Sequence, residues 1–188
     1  MTTATAVPTK TIVPAGTWTV DPAHSKAGFS VKHMGVSTVR GEFREFEGSL
    51  EIGEDLSSAT VRGSVRAASV DTSEAQRDEH LRSADFFDVE QFPELRFESS
   101  SIEQLDEDTF RITGDLTLHG VTLELELEAE VEGTGTGPDG SERIGLGVTG
   151  QLSRGDYGMK FNQALGSGNV MVSDKVKLAL DIEAVKQS

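Results

Sequence analysis

Apolar and polar residues alternate strictly along residues 121–131. Every odd position from Val121 to Val131 is apolar, and nearly every even position is Glu. A period of two residues is typical of a β-strand with one buried face and one face in water. A helix would instead scatter these Leu side chains around its circumference. The pattern therefore predicts a half-buried strand with its Leu side chains inward and its Glu side chains outward.

Similar alternation recurs from Trp18 onward and predicts about eight or nine strands, joined by connections rich in Gly, Asp, Ser and Glu. A run of antiparallel strands this long exposes two edges unless the sheet closes on itself. We therefore predict an all-β fold, an extended antiparallel eight-stranded barrel. Barrels of about eight strands have an interior just wide enough for side chains or for one small ligand.

Glycines occupy several of the positions that the alternation directs inward. Two interpretations are open. The glycines allow the strands to bend tightly, as barrel closure requires, or they leave space in the interior. The residues concerned are Gly41, Gly48, Gly63, Gly114 and Gly150.

One segment breaks the period of two. Ser73, with Gln76 three residues later, has the spacing of a capping box, and residues 74–82 are good helix formers. We expect one or two short helices inserted between strands, ending before Pro93. Two adjacent Phe residues follow the helical stretch and need an apolar surface. We therefore expect residues 73–87 to cover one mouth of the barrel with Leu81, Phe86 and Phe87.

Composition excludes several classes of function. The chain has 188 residues and a net charge of −15, so phosphate backbones and anionic lipid surfaces would repel it, and we expect no nucleic-acid partner. The absence of Cys excludes disulfides, thiol catalysis and iron–sulfur clusters. No stretch approaches the eighteen consecutive apolar residues of a membrane span, so we expect no stable membrane insertion.

The chain divides into two parts by composition. Residues 1–16 are rich in Thr, Pro and Ala and are expected to form a flexible N-terminal arm, whereas residues 17–188 are expected to form a single domain. The first residues lack the apolar run of a secretory signal, so we expect a cytoplasmic protein. The oligomeric state is left open, with a homodimer as one option.

Several motifs resemble sites of known chemistry without the required context. G-x-G-x-x-G occurs at residues 135–140 and 145–150, but neither match is predicted to precede a helix, as a dinucleotide site requires. None of the four His residues has zinc-site spacing. Acidic residues and His80 cluster around the predicted helix, where a solvated helix face is a commoner explanation than a metal. We therefore predict no catalytic residues, no metal and no cofactor.

Blocks of sequence in a specific order resemble the YceI-like family of polyisoprenoid-binding proteins. The similarity spans residues 16–185 and rests on seven blocks, 18–25 (WTVDPAHS), 29–34 (FSVKHM), 39–43 (VRGEF), 77–87 (RDEHLRSADFF), 92–97 (FPELRF), 114–122 (GDLTLHGVT) and 153–159 (SRGDYGM). The resemblance implies a lipocalin-like barrel whose apolar tunnel holds a long isoprenoid chain. The ligand class that it implies is an isoprenoid quinone or a polyprenyl phosphate. Many family members are periplasmic.

The inward and covering positions give the candidate ligand-binding residues. They are Phe29, Val31, His33, Phe43, Val61, Val65, Leu81, Phe86, Phe87, Leu95, Phe97, Ile112, Leu116, Leu123, Leu125, Ile144 and Val148. His33 shares the parity of Phe29 and Val31, so it is our candidate to hydrogen-bond a polar head group near the rim. The alternative is a His bonded to a neighbouring strand or turn.

Three functions are compatible with these features. The first is carriage or storage of the lipid without chemistry, since burial of apolar carbons alone supplies the affinity. The second is a lipid-responsive protein-interaction module whose barrel is filled by its own side chains. The third is an enzyme acting on a lipid head group, for which the sequence offers no recognisable catalytic set. We take carriage as the leading hypothesis.

Overall fold

The computed structural model describes residues 13–166, 168 and 170–188, and the greater part of the predicted N-terminal arm (residues 1–12) lies outside them. The described residues form one α-helix, α1 (Ala75–Arg82), and eleven strands. The strands are β1 (Gly16–Val20), β2 (Lys26–His33), β3 (Ser37–Phe43), β4 (Phe46–Ile52), β5 (Thr60–Arg66), β6 (Val70–Asp71), β7 (Glu94–Gln104), β8 (Thr109–Leu118), β9 (Val121–Thr136), β10 (Glu142–Ser153) and β11 (Val172–Lys186).

Eight of these strands close into an antiparallel barrel. Their order is β1-β4-β5-β7-β8-β9-β10-β11, and pairing of β1 with β11 completes the ring. The prediction of an eight-stranded, lipocalin-like antiparallel β-barrel is confirmed. Closure matters because every strand in the ring then has a hydrogen-bonded neighbour on each side.

The three remaining strands extend one side of the barrel. β2 pairs with β11 and with β3, and β3 pairs with β6. Short 3₁₀ helices at Pro22–His24 and Ala67–Ser69 separate β1 from β2 and β5 from β6. The structure contains more strands than the eight or nine that alternation predicts, and its shortest strands are β6, with two residues, and β1, with five.

The Leu-Glu strand has the predicted orientation. All five residues at the even positions between Thr122 and Glu130 are exposed, whereas Leu125, Ala129 and Val131 are buried. A shift of one residue in register would place four Glu side chains in the barrel interior. The free-energy cost would be on the order of several kcal/mol for each Glu, as expected for an unpaired charge in apolar surroundings. Leu123 departs from the pattern, since 37% of it is exposed at the start of β9.

A cluster around Trp18 fills one end of the barrel. Trp18, Ile144 and Ala184 are at most 1% exposed, and the Trp18 indole N–H donates to the Pro14 carbonyl over 3.1 Å. Val13 is also buried in this cluster. Residues 13–16, which the sequence assigns to a flexible arm, therefore pack onto the barrel instead. The reason is that Val13 adds apolar surface beside Trp18 and Gly16 already begins β1.

The inserted helix begins differently from the prediction. Glu74, rather than Ser73, is the N-cap, and its carboxylate accepts hydrogen bonds from the amides of Gln76 and Arg77. Ser73 has a positive φ of 64° and its amide donates to the Asp71 carboxylate, which places it in the preceding turn. The described residues contain one α-helix in this region, followed by turns.

The hairpin between β9 and β10 has a short turn, because β9 extends to Thr136 and β10 begins at Glu142. Gly133 and Gly135 continue β9 and pair with Gly145 and Arg143 of β10. The turn is closed by the Gly137 amide, which donates to the Ser141 carbonyl over 2.8 Å. Both G-x-G-x-x-G matches thus lie in strands and a hairpin turn, and neither precedes a helix, in agreement with the sequence interpretation.

The helices of the described residues are all short. α1 has eight residues, and within the described ranges no helix has the length and hydropathy that a membrane crossing would need.

Candidate ligand cavity

An apolar cavity of about 290 Å³ lies inside the barrel and is partly open to its surroundings. Its wall combines inward side chains of the barrel strands with apolar side chains of α1 and of the turns that follow it. A cavity of this size inside a barrel distinguishes this protein from one whose interior is filled by its own side chains. The lining residues are mainly Val, Leu, Ile and Phe, contributed by strands β1 to β5 and β7 to β11.

Two glycines create part of this space. Gly48 of β4 pairs with Gly63 of β5, and both lie at the cavity wall. A Cβ added at Gly63 would have only the Glu47 carbonyl oxygen nearby, at 3.6 Å. The barrel wall at this pair is therefore little more than one backbone thick.

The other inward glycines are covered by neighbouring side chains. A Cβ at Gly41 would overlap the Phe29 ring, and one at Gly114 would lie 2.6 Å from Phe97 Cζ. At Gly150 the Leu127 side chain takes the space. Of the two interpretations left open by the sequence, close packing thus applies to these three positions and free space applies to Gly63.

Residues 73–87, which we call the cap segment, cover the cavity at the end away from Trp18. Leu81, Phe86 and Phe87 all contribute to the lining, as predicted. The Phe87 ring packs edge-on against Phe43, with their centroids 5.5 Å apart. The apolar residues that follow α1 therefore form part of the wall itself.

Hydrogen bonds attach the cap segment to the residues around β6. The Asp78 carboxylate, which is buried, accepts from the Thr72 amide at 2.8 Å and from the Thr72 hydroxyl at 2.6 Å. The Arg82 guanidinium donates to the carbonyls of Ala68 and Val70. The carboxylate of Asp78 has a structural partner, so this acidic residue is not free to bind a metal.

Arg154 places a positive charge at the wall of this apolar cavity. It lies in the 3₁₀ helix Arg154–Tyr157 and is only 5% exposed. Its guanidinium donates to the carbonyls of Ser173, Met159 and Val172 over 2.9, 2.8 and 3.2 Å. Phe86 of the cap segment lies beside it, with the guanidinium carbon 5.9 Å from the ring centroid.

Burial sets the electrostatics around Arg154. It lowers the pKa of the guanidinium, an effect that the charge of Asp174 opposes. The pKa of Asp174 is itself lowered because its carboxylate accepts hydrogen bonds from the Ser153 hydroxyl and the Gly155 amide. Arginine stays protonated at physiological pH in spite of burial, so the cavity wall carries one full positive charge here.

A second cluster of charged groups lies outside the barrel. Asp21, His24 and Glu183 bring their ligating atoms within 4.8 Å of one another, which is a geometry that could hold a metal. Arg143 already contacts Asp21 at 3.3 Å and Glu183 at 2.6 Å. The guanidinium of Arg143 therefore supplies these two carboxylates with the positive charge that a metal ion would otherwise provide.

Comparison with known proteins decides the family. The model of the YceI-like domain matches residues 18–184 of this chain. The chain belongs to the YceI-like family. UPF0312 protein SA2479 of Staphylococcus aureus (strain N315) is 37% identical over 169 residues, covering 88% of this chain and 95% of the relative.

Solved structures share the fold of this YceI-like protein. Burkholderia cenocepacia BcnA superposes with a TM-score of 0.74 at 20% identity, covering 87% of this chain and 98% of BcnA. A polyisoprenoid-binding domain from Saccharophagus degradans, implicated in plant cell wall breakdown, gives 0.69 at 14% identity, covering 90% of this chain and 98% of that domain. At these identities the likeness extends to the fold alone.

Most residues predicted to bind a ligand lie at the cavity wall of the YceI-like barrel. Fourteen of the seventeen line the cavity. They are Phe29, Val31, Phe43, Val61, Val65, Leu81, Phe86, Phe87, Leu95, Phe97, Ile112, Leu116, Leu125 and Val148. Their contact with a ligand stays a prediction.

Three predicted residues lie away from the cavity wall. His33 is the last residue of β2, where the strand ends in a turn, and it is not among the lining residues. Leu123 is exposed near the start of β9, and Ile144 is buried with Trp18 at the filled end. Parity along a strand indicates the face of the sheet but does not show whether a side chain reaches the cavity. Leu123 and His33 pair with the lining residues Leu116 and Val172, yet neither of the two lines the cavity.

Sequence reasoning missed Arg154. The residue begins a short 3₁₀ helix after β10, outside any alternating stretch, and a single Arg between strands is usually solvated. Its only sequence signal is its place in the Ser153–Met159 block that carries the family resemblance.

Proposed function

We propose that this protein binds and carries an isoprenoid lipid, with the tail in the barrel cavity and without chemistry on the lipid. The observation that carries this proposal is the apolar cavity of about 290 Å³ in a closed barrel of the YceI-like family. The polyisoprenoid-binding domain with the same fold supports the ligand class. Cavities that hold small molecules are typically concave, mostly apolar and largely preformed.

The cavity volume sets the length of tail that it holds. An apolar cavity of about 150 Å³ accommodates benzene, so a volume near 290 Å³ accommodates on the order of ten to twelve carbons, or about two isoprene units. Burial of ten such carbons gains about 8 kcal/mol relative to water, before the costs of association. This gross energy corresponds to about micromolar affinity at best for that portion of the tail.

A longer isoprenoid chain exceeds the volume of the cavity as described. Binding such a chain therefore requires the cap segment to move or part of the chain to remain outside. Both routes are compatible with a carrier, because a bilayer offers the tail nearly the same apolar environment as the cavity. The free energy of transfer from membrane to protein is then near zero, which allows release as well as uptake. We propose that this carriage takes place in the cytoplasm.

The alternative function is a lipid-responsive interaction module with a filled barrel. The open space beside Gly63 weighs against the filled interior that this alternative assumed. A module that responds to lipid through the cap segment stays compatible with the structure. It would differ from a carrier in having a protein partner whose affinity changes with the bound lipid.

Native mass spectrometry of the purified full-length protein tests the proposal. We expect adducts that disappear on organic extraction and that yield an isoprenoid lipid in the extract. Protein stripped in this way should then bind farnesol, a fifteen-carbon isoprenoid alcohol, in a displacement assay with an apolar fluorophore. Absence of an extractable lipid together with no displacement by farnesol would overturn the proposal.

A further inference from the structure

Arg154 is a buried charged residue at the cavity wall. Binding of an apolar tail does not explain why a charge lies there. A tail needs only a hydrocarbon surface, and burying a charge costs several kcal/mol unless partners compensate. Within residues 13–166, 168 and 170–188, no carboxylate lies within 4.0 Å of the guanidinium nitrogens. The carboxylate of Asp174 acts on Arg154 only through space, while its hydrogen bonds go to Ser153 and Gly155.

The hydrogen bonds of Arg154 leave part of its donor capacity unused. A guanidinium has five N–H groups, one on Nε and two on each Nη atom. Three of them donate to the carbonyls of Ser173, Met159 and Val172, through Nε, Nη1 and Nη2 respectively. Each Nη atom therefore keeps one further N–H, and the described protein residues supply no acceptor for it.

Charge and donors together select one class of head group. Carbonyl oxygens satisfy hydrogen bonds but do not neutralise a positive charge in surroundings of low polarity. A phosphate or carboxylate supplies both a negative charge and acceptors that match two Nη–H groups. A quinone or alcohol supplies acceptors only. We infer that Arg154 binds an anionic head group, a phosphate or a carboxylate, on the lipid whose tail occupies the cavity.

This inference rests on the proposed function and refines its ligand class. The protein surface as a whole disfavours binding of an anionic lipid, because the net charge of −15 repels anions in general. A preference for an anionic lipid over its neutral counterpart must therefore come from a local positive group. Arg62 and Arg96 also reach the cavity wall, but they are exposed and lie within 4.0 Å of Glu98 and Glu94 respectively. Arg154 differs from both in being buried without a carboxylate partner.

Paired ligands test the inference directly. Calorimetric titration of the lipid-free protein with farnesyl monophosphate and with farnesol compares the same tail with and without an anionic head. We expect the phosphate to bind at least about tenfold more tightly, as a charge-assisted hydrogen-bonded pair predicts. Equal affinities in the unmodified protein would overturn the inference. Binding of neither ligand would instead overturn the proposed function.

Variants separate ligand binding from a structural role of Arg154. Arg154→Gln should abolish the preference for phosphate while farnesol still binds, and Arg154→Lys should retain part of it because the charge remains. Arg66→Gln is the matched control, since Arg66 is exposed and does not line the cavity, and it should leave the preference unchanged. Equal losses for both ligands in Arg154→Gln would show that the residue only shapes the cavity. If Arg154→Gln fails to fold, Arg154→Lys and the paired titration of the unmodified protein still decide the question.

Discussion

Gly48 and Gly63 are direct partners across β4 and β5, and together they leave the cavity wall without side chains at that point. The two positions differ in their surroundings. A Cβ at Gly48 would lie 3.0 Å from Val20 Cγ2, whereas at Gly63 the nearest atom is 3.6 Å away. Gly63 is therefore the position where a side chain can be added to the cavity with little disturbance of the strand.

The first prediction concerns Gly63→Leu. The added side chain should occupy cavity volume and weaken binding of farnesol by at least about tenfold, since roughly four carbons of tail lose their place at about 0.8 kcal/mol each. Stability should be unchanged or slightly higher, because Gly in a strand interior costs about 0.5–1 kcal/mol. Displacement titration and denaturant unfolding measure the two effects.

Gly133→Leu provides the matched control. Gly133 is exposed on β9, and a Cβ there would meet nothing within 4 Å. This variant should bind farnesol like the unmodified protein. If Gly63→Leu also binds normally while folding normally, the space beside Gly63 does not hold the tail.

The second prediction contrasts adjacent residues of β9. Leu125 is buried at the cavity wall, so Leu125→Glu should destabilise the barrel by several kcal/mol or unfold it, as expected for a buried charge. Glu126 is exposed and its carboxylate lies 3.2 Å from Arg111 Nε, so Glu126→Leu should cost about 1 kcal/mol or less. Denaturant unfolding measures both, and similar losses would contradict the half-buried strand.

Alternation along a strand allowed most of the fold and much of the cavity wall to be predicted. Leu125 and Val148 share the inward parity and line the cavity. Ile144 has the same parity as Val148 on the same strand and belongs to the same buried cluster as Trp18, yet only Val148 lines the cavity. The period of two encodes the face of the sheet, while the distance of a residue from each end of the barrel depends on the stagger between strands.

Features that depend on distant contacts could not be predicted in this way. Arg154 is buried because its guanidinium meets carbonyls of Val172 and Ser173, which lie some eighteen residues further along the chain. Ser73 is a more typical N-cap residue than Glu74, yet Glu74 is the N-cap of α1. The Ser73 amide donates to the Asp71 carboxylate, which holds Ser73 in the preceding turn. In both places a tertiary or turn interaction overrides the local pattern.

The third prediction concerns attachment of the cap segment. Asp78→Ala removes two buried hydrogen bonds and leaves the Thr72 amide without its acceptor, which should cost about 1–3 kcal/mol locally. Hydrogen exchange of residues 75–87 should accelerate in this variant, while exchange in β9 stays slow. Glu79→Ala, at the exposed neighbouring position, should leave exchange unchanged. Equal protection in both variants would show that Asp78 does not anchor the cap segment.

The fourth prediction concerns opening of the cap segment. Tails longer than the cavity require more room, so hydrogen exchange of residues 75–87 should differ between the protein bound to farnesol and the protein bound to a forty-carbon polyprenol. Slower exchange of residues 75–87 with both ligands than in the free protein would indicate that the cap segment closes over the tail. An exchange pattern identical in the free and both bound forms would identify the segment as a fixed part of the wall.

The fifth prediction is a pH dependence outside the barrel. Hydrogen bonding to the Asp21 carboxylate raises the pKa of His24, with Glu183 adding to the effect and Arg143 opposing it. A raised pKa in the folded protein means that protonation of His24 stabilises the fold. This stabilisation is fully present below the ordinary pKa of about 6.5 and is lost as pH rises through the higher pKa of the folded protein. The Tm of the unmodified protein should therefore exceed that of His24→Gln below pH 6, and the difference should narrow as the pH rises.

An NMR titration checks the same interaction at the residue itself. The His24 ring should titrate with a midpoint above its ordinary value, and Asp21→Asn should return the midpoint towards that value. A His24 midpoint that is the same in both proteins would contradict the assigned cause.

The triple pairing of β11 has a consequence for how the chain reaches this fold. β11 pairs with β10, with β1 and with β2, so it joins residues 16–33 to the far end of the sequence. On the ribosome, the edges of β1 and β2 that face β11 stay without partners until residues 172–186 have been synthesised. Ring closure is thus a late, non-local event, which favours slow folding and exposes two strand edges to other nascent chains. Chaperone dependence during synthesis should be set by this delay rather than by the stability of the finished barrel.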